Sequence, residues 1–152
     1  MISPDDYIQT RLAQYQNWYD SKAVRMKALH LRLRSVSVIG GALVPALVNI
    51  DVPYINVVTT IVSLVVVILV SLESVFHYRE QWKNYRSTEQ LLGHERIYFM
   101  TRCGAYEGLN DQDAFRRLVE RVESAIAAEN ASTLTTMTLA GQVTDDHLRA
   151  TP

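Results

Sequence analysis

Between Ser35 and Leu72 the chain has no lysine and no arginine, and Asp51 is the only acid. A soluble domain spreads charge over every exposed element, so this gap excludes an ordinary solvated surface and calls for a second solvent. Cysteine is almost missing too. Cys103 alone excludes an internal disulfide framework and fits a reducing compartment. The four histidines, His30, His77, His94 and His147, lack metal-ligand spacing with one another. Gly40-Gly41 lies in an apolar run without a nearby P-loop lysine, so no phosphate-binding loop is present. No catalytic constellation is visible. An enzyme is not expected, nor is a metal or a cofactor. The first twenty residues lack a basic region followed by an apolar run and do not read as a cleavable signal peptide.

What is present is a chain of segregated composition: 48% hydrophobic and 20% charged, with a net charge of −1. The first apolar segment, about residues 35–50, carries Gly40, Gly41 and Pro45, which suit close helix packing or a kink. At about 1.5 Å per residue it falls short of a hydrocarbon core of about 30 Å, unless Arg32 and Arg34 snorkel and lend it Leu29, Leu31 and Leu33. The second segment, about 54–73, is longer and rich in valine and isoleucine. Asn49–Tyr54 makes the turn, with Pro53 suited to a first helical position. Arg25, Lys27, Arg32 and Arg34 precede the first segment, and Arg79, Lys83 and Arg86 follow the second, while the turn has no positive charge. The positive-inside rule therefore predicts a multi-pass hairpin in the inner (plasma) membrane with both termini cytoplasmic.

The flanking segments carry helical stripes. Ile8, Leu12, Tyr15, Tyr19, Ala23, Met26, His30 and Leu33 recur at steps of three and four, and no glycine or proline interrupts from Asp5 to Val38. The spacing predicts one helix over 5–34 running into the first span. The same spacing at Tyr78, Trp82, Tyr85, Leu92, Phe99, Cys103 and Tyr106 predicts a helix over 77–106, bent near Gly93 and ended by Gly104 and Gly108. Asn110-Asp111 opens a third helix over 112–130, whose face holds Phe115, Leu118, Val119, Val122, Ala125 and Ile126. Residues 140–152 read as a disordered tail. The fold expected is an all-α membrane protein with one domain over 1–139. A two-transmembrane hairpin extends into a cytoplasmic helical bundle, packed in part by Trp18, Trp82, Tyr85, Phe99 and Phe115.

On the second span, Asn56, Thr60, Ser63, Val67, Ser71 and Ser74 follow helical spacing and form a stripe that is polar except at Val67. Such a stripe can line a water-filled path if several copies assemble. It can equally serve helix packing, or bond its own backbone carbonyls. Glu73 lies near the cytoplasmic end. Either it pairs with Arg34 as a structural acid, or it contributes to a charged ring at a pore mouth.

Tyr15–Lys27, Pro45-Ala46-Leu47 and Ser71–Tyr106 share an ordered pattern. It comprises an acid at the end of the second span, Trp82, Tyr85-Arg86, Glu89, Leu91-Leu92, Glu95 and Tyr106, then Phe115, Arg121 and Glu123. Over roughly residues 7–129 this resembles the SLATT-type bacterial two-transmembrane family, which includes a branch known as a domain of unknown function. The resemblance implies a membrane effector that forms pores or disrupts membranes in bacterial defence, working with a separate sensor or signalling protein. The leading expectation is a homo-oligomeric pore or ion channel whose partners are the lipid bilayer and further copies of itself, with no nucleic acid. The alternative is a non-conducting scaffold or anchor that docks a protein partner through its cytoplasmic helices.

Overall fold

A computed structural model describes residues 2–149, with side chains through residue 135. The described residues form helices joined by short connections, without strands. Helix α1, Pro4–Val48, begins where local chemistry directs. Ser3 Oγ accepts the Asp6 N–H at 3.1 Å, Pro4 opens the first turn, and Asp5 and Asp6 sit at the positive end of the helix dipole. One π-turn at Ile8–Leu12 widens it. Pro45 lies inside the last turns, where it cannot donate to the Gly41 carbonyl. Asn49 Nδ2 donates to the Pro45 carbonyl at 2.7 Å just past the helix end.

Helix α2 is Ile55–Phe76, entered through Tyr54 in the left-handed region at φ 69°. Pro53 therefore sits in the turn and not at the first helical position. Its fixed φ serves the turn, and Tyr54 takes the left-handed residue that reverses the chain. His77, also left-handed at φ 49°, closes α2 by donating its N–H to the Glu73 carbonyl at 3.1 Å. Helix α3, Tyr78–Thr101, begins immediately afterwards and passes straight through Gly93. The interruption of the helical run lies at His77 instead. Gly93 serves close approach: a Cβ there would stand 3.1 Å from Gln16 Nε2. A short 3-10 turn, Gly104–Tyr106, and left-handed Gly104 and Gly108 end the segment.

Helix α4, Asp111–Arg149, is opened by Asn110, whose Oδ1 accepts the Asp113 N–H at 2.9 Å. It runs past the end expected near residue 130, since neither glycine nor proline interrupts before Gly141. The tail expected over 140–152 lies outside the residues whose side chains are described.

The chain divides into two compact units, one of residues 1–24 with 81–152 and the other Arg25–Glu80. The first unit holds the apolar core. Leu12 and Tyr19 of α1, Leu92 of α3, Tyr106, and Leu118 and Val122 of α4 are fully buried. Trp18 packs edge-on against Tyr19 at 4.9 Å and Tyr85 at 5.9 Å, Tyr7 meets Phe115 at 5.8 Å, and Phe99 meets Tyr106 at 5.8 Å. Trp82 is half-buried. Cys103, expected on the packed stripe, is exposed because α3 has ended at Thr101 and the chain has turned.

Three tyrosine–glutamate bonds tie this unit together. Tyr106 Oη donates to Glu95 Oε2 at 2.5 Å, Tyr7 Oη to Glu123 Oε1 at 3.1 Å, and Tyr19 Oη to Glu129 Oε2 at 3.3 Å. Arg121 also grips Glu95 through Nε at 2.8 Å and a terminal nitrogen at 2.6 Å. Glu95 is 2% exposed. Burial alone would raise its pKa, yet the Arg121 and Tyr106 bonds, with the Arg121 charge, carry it below the ordinary value. Arg11, bonded to both Glu123 oxygens at 3.0 Å, depresses Glu123 likewise. The buried phenols of Tyr7, Tyr19 and Tyr106 are pushed up, first by desolvation and then by their carboxylate partners.

Candidate functional site

The second unit, Arg25–Glu80, contains both apolar segments. Two of the chain's helices, Pro4–Val48 and the α2–α3 run Ile55–Thr101, are long and apolar enough to cross a membrane. Helix α2 has 22 residues and none is buried. A core helix of a soluble protein would be covered, so the arrangement disfavours that alternative.

Within the unit the two arms meet along a seam that repeats every three and four residues. On α1, His30 and Ser37 are buried and Met26, Leu33, Gly40, Val44 and Leu47 half-buried. On α2, Ile55, Thr59, Val62, Val66, Leu69 and Glu73 are half-buried. This is the spacing of an antiparallel coiled-coil contact. Two contacts set its register. A Cβ on Gly40 would stand 2.6 Å from Val66 Cγ2, so the helices touch where only glycine fits. Towards the chain-terminal end, His30 Nδ1 lies 2.8 Å from Glu73 Oε1. The two atoms are in close contact, but their geometry is not that of an aligned hydrogen bond.

Glu73 therefore pairs with His30 and not with Arg34. The helical step explains the difference: residues 26, 30, 33 and 37 face the seam, whereas Arg34 falls on its flank and is exposed. A turn centred near residues 49–54 places position 73 opposite positions near 30. That arithmetic was available from the sequence, and its omission concealed the pair. Gly40 lies on this seam, whereas Gly41 has nothing within 4 Å of its Cβ direction and is not part of it.

The polar stripe lies beside the seam, not on it. Asn56, Thr60, Val67, Ser71 and Ser74 are exposed, Val67 to 61%, and only Ser63 is half-buried. The hydroxyls of Thr60, Ser63 and Ser71 each donate at 2.8 Å to the carbonyl four residues earlier. They keep lone pairs free to accept. Among the described residues, Asn56 and Ser74 side chains make no hydrogen bond. The stripe is thus left open, and its amide is unsatisfied within the hairpin.

The family model for DUF4231, described as a protein of unknown function, matches residues 14–114. The chain belongs to this family. No curated protein and no solved structure matches it. The DUF4231 match takes in Trp18, the whole seam, the stripe, Glu95 and Tyr106, and stops short of Arg121 and Glu123. Sequence reasoning missed the seam as a heptad, and it missed Glu95 as a buried acid. The signals were present as spacing in the first case and as a lone acid among Leu92 and Phe99 in the second.

Proposed function

We propose that this DUF4231 chain is a membrane-embedded hairpin that assembles with copies of itself into a pore, as the SLATT-like resemblance implies, with its termini cytoplasmic. One observation carries the reading: α2 keeps its polar stripe uncovered while a different face serves the hairpin seam. An unbonded Asn56 amide and hydroxyl lone pairs on an otherwise apolar helix are costly against lipid and are relieved by a second copy or by water. Span length supports insertion, since the 22 residues of α2 reach about 33 Å. Bacterial defence enters through the resemblance alone.

Liposomes containing the purified full chain should release ions. Thr60→Leu and Ser71→Leu should change conductance without loss of insertion, since neither side chain lies on the seam. Tight liposomes with inserted wild-type protein would defeat the pore.

The scaffold reading has its own support on α3, where Leu91, Ile97, Tyr98 and Met100 are exposed in the first unit. A cleft of about 450 Å³ lined by Leu91, Glu95, Glu120, Arg121, Ser124 and Ala125 opens beside Leu91, away from the side of α3 that carries Ile97 and Met100. The outer face of α4, with Arg116, Arg117 and Glu120 exposed, is polar instead. A partner would therefore dock on α3, and Ile97→Asp with Met100→Asp would abolish its capture while leaving ion flux unchanged.

A further inference from the structure

Arg25, Arg32, Arg34 and Arg79 are all exposed, and among the described residues none of them makes an ion pair or hydrogen bond. In the first unit, Arg11, Arg86, Arg102 and Arg121 are each held by a carboxylate, whereas Arg96 and Arg116 make no ion pair among the described residues. Glu73, at the same end of the hairpin, lies against His30.

Position sharpens this. With His30 opposite Glu73 and Gly40 opposite Val66, Arg32 and Arg34 stand level with the last apolar turn of α2, near Leu72. The two arms thus differ in apolar length. Helix α2 is uncharged over about 26 Å before Glu73, whereas α1 is charge-free only from Ser35 to Val48, about 20 Å. Two residues apart, Arg32 and Arg34 point to opposite sides of α1 and cannot share one ligand. Arg25, seven residues before Arg32, lies on the same side as Arg32.

We propose that Arg25, Arg32 and Arg34 form a collar around α1 that binds the phosphates of anionic phospholipids, drawing headgroups down about the short arm. This rests on the membrane reading above. The chemistry follows from the guanidinium: it is always charged, matches phosphate geometry in a forked contact, and sits on a stem that reaches from an apolar helix to the interface. A headgroup carrying net negative charge satisfies it, whereas choline headgroups bring a competing cation. The shorter arm then thins the bilayer on its own side, where mismatch is relieved by snorkelling.

The test uses the full chain in bilayers of phosphatidylcholine, alone or mixed with phosphatidylglycerol. Spin-labelled phosphatidylglycerol and phosphatidylcholine report which lipid is immobilised at the protein. Wild type should select phosphatidylglycerol, each cation near the surface contributing on the order of fivefold. Arg32→Gln with Arg34→Gln should bring the ratio towards one, while Arg11→Gln, taken from a paired arginine, should leave it unchanged. Excess inorganic phosphate should displace no more lipid than chloride at equal ionic strength. Equal immobilisation of both lipids by inserted wild type would overturn the collar and leave the membrane reading intact. Selectivity retained by the double variant, or displacement specific to inorganic phosphate, would overturn it as well. Failure to insert into either bilayer, judged by flotation and alkaline extraction, would sink the membrane reading itself.

Discussion

The unit of residues 1–24 with 81–152 and the unit Arg25–Glu80 solve the same packing problem in opposite ways. The first buries tyrosines and leucines, and its described carboxylates in the core all have donors. The second buries only His30 and Ser37, leaves most of its valines and leucines exposed, and holds four arginines without a partner among the described residues. One set of physical rules gives both results once the surroundings differ. In water, apolar surface is hidden and exposed charges are cheap to leave free. On the reading proposed here, the second unit meets lipid, so its apolar surface stays outside and glycine-mediated contact holds the arms.

The comparison breaks most easily at Glu95. Glu95→Gln should destabilise the first unit by on the order of 2–4 kcal/mol, less than for a wholly buried pair because Arg121 is about half exposed. Trp18 and Trp82 both lie in this unit, so tryptophan emission during denaturant unfolding reports it selectively. An equal loss of hydrogen-exchange protection in the 25–80 segment would show that the two units do not melt separately.

Next come the adjacent glycines. Gly40→Ala should cost the hairpin roughly 1–3 kcal/mol through overpacking against Val66. Gly41→Ala should be neutral or stabilising by up to about 1 kcal/mol, since alanine is the better helix former and the space is open. Hydrogen exchange over α1 and α2 reads both. If Gly41→Ala disperses an oligomer while sparing the hairpin, Gly41 marks the contact between copies.

Acid should separate the units next. Glu95 and Glu123 are depressed in the folded state, so their stabilisation is complete above the ordinary carboxylate pKa of about 4.3 and is lost as pH falls through their lower folded values. Tryptophan emission should therefore report unfolding only below that range. Tyr7, Tyr19 and Tyr106, raised by burial, set the opposite limit: stability falls as pH climbs above about 10. A melt insensitive to acid would show that these carboxylates are not ionised partners in the fold.

The smallest effect is expected at His77. Glycine tolerates φ of 49° without the Cβ clash, so His77→Gly should gain up to about 1 kcal/mol, partly offset by chain entropy. A loss would indicate that the ring contact of Nδ1 with the Val75 carbonyl, 3.0 Å away, matters more than backbone strain.

Most helices were legible because periodicity is local: Ile8, Leu12, Tyr19, Ala23, Leu118, Val122 and Ile126 were assigned to packed faces and are buried. What escaped was pairing across the chain. For Glu73 the sequence offers Arg34, at the same end of the hairpin, or a charged ring, and Glu95 reads as one acid in a polar helix until Arg121 and Tyr106 come against it from elsewhere. Breaks were also misplaced. Gly93 invited a break, yet α3 is continuous through it, while His77 adopts the left-handed backbone that ends α2. For the stripe, spacing located the face, and the structure added that the hairpin leaves it open.

The π-turn at Ile8–Leu12 has a consequence for how the N-terminal segment tolerates change in length. One extra residue in a single turn rotates everything before it by about 100° relative to an uninterrupted α-helix. Tyr7 and Arg11 converge on one carboxylate, Glu123, with that offset in place. Deleting Gln9 would leave a regular helix of good propensity whose first two turns face the wrong way. A chain one residue shorter would thus keep its helicity and mis-index its own N-terminus.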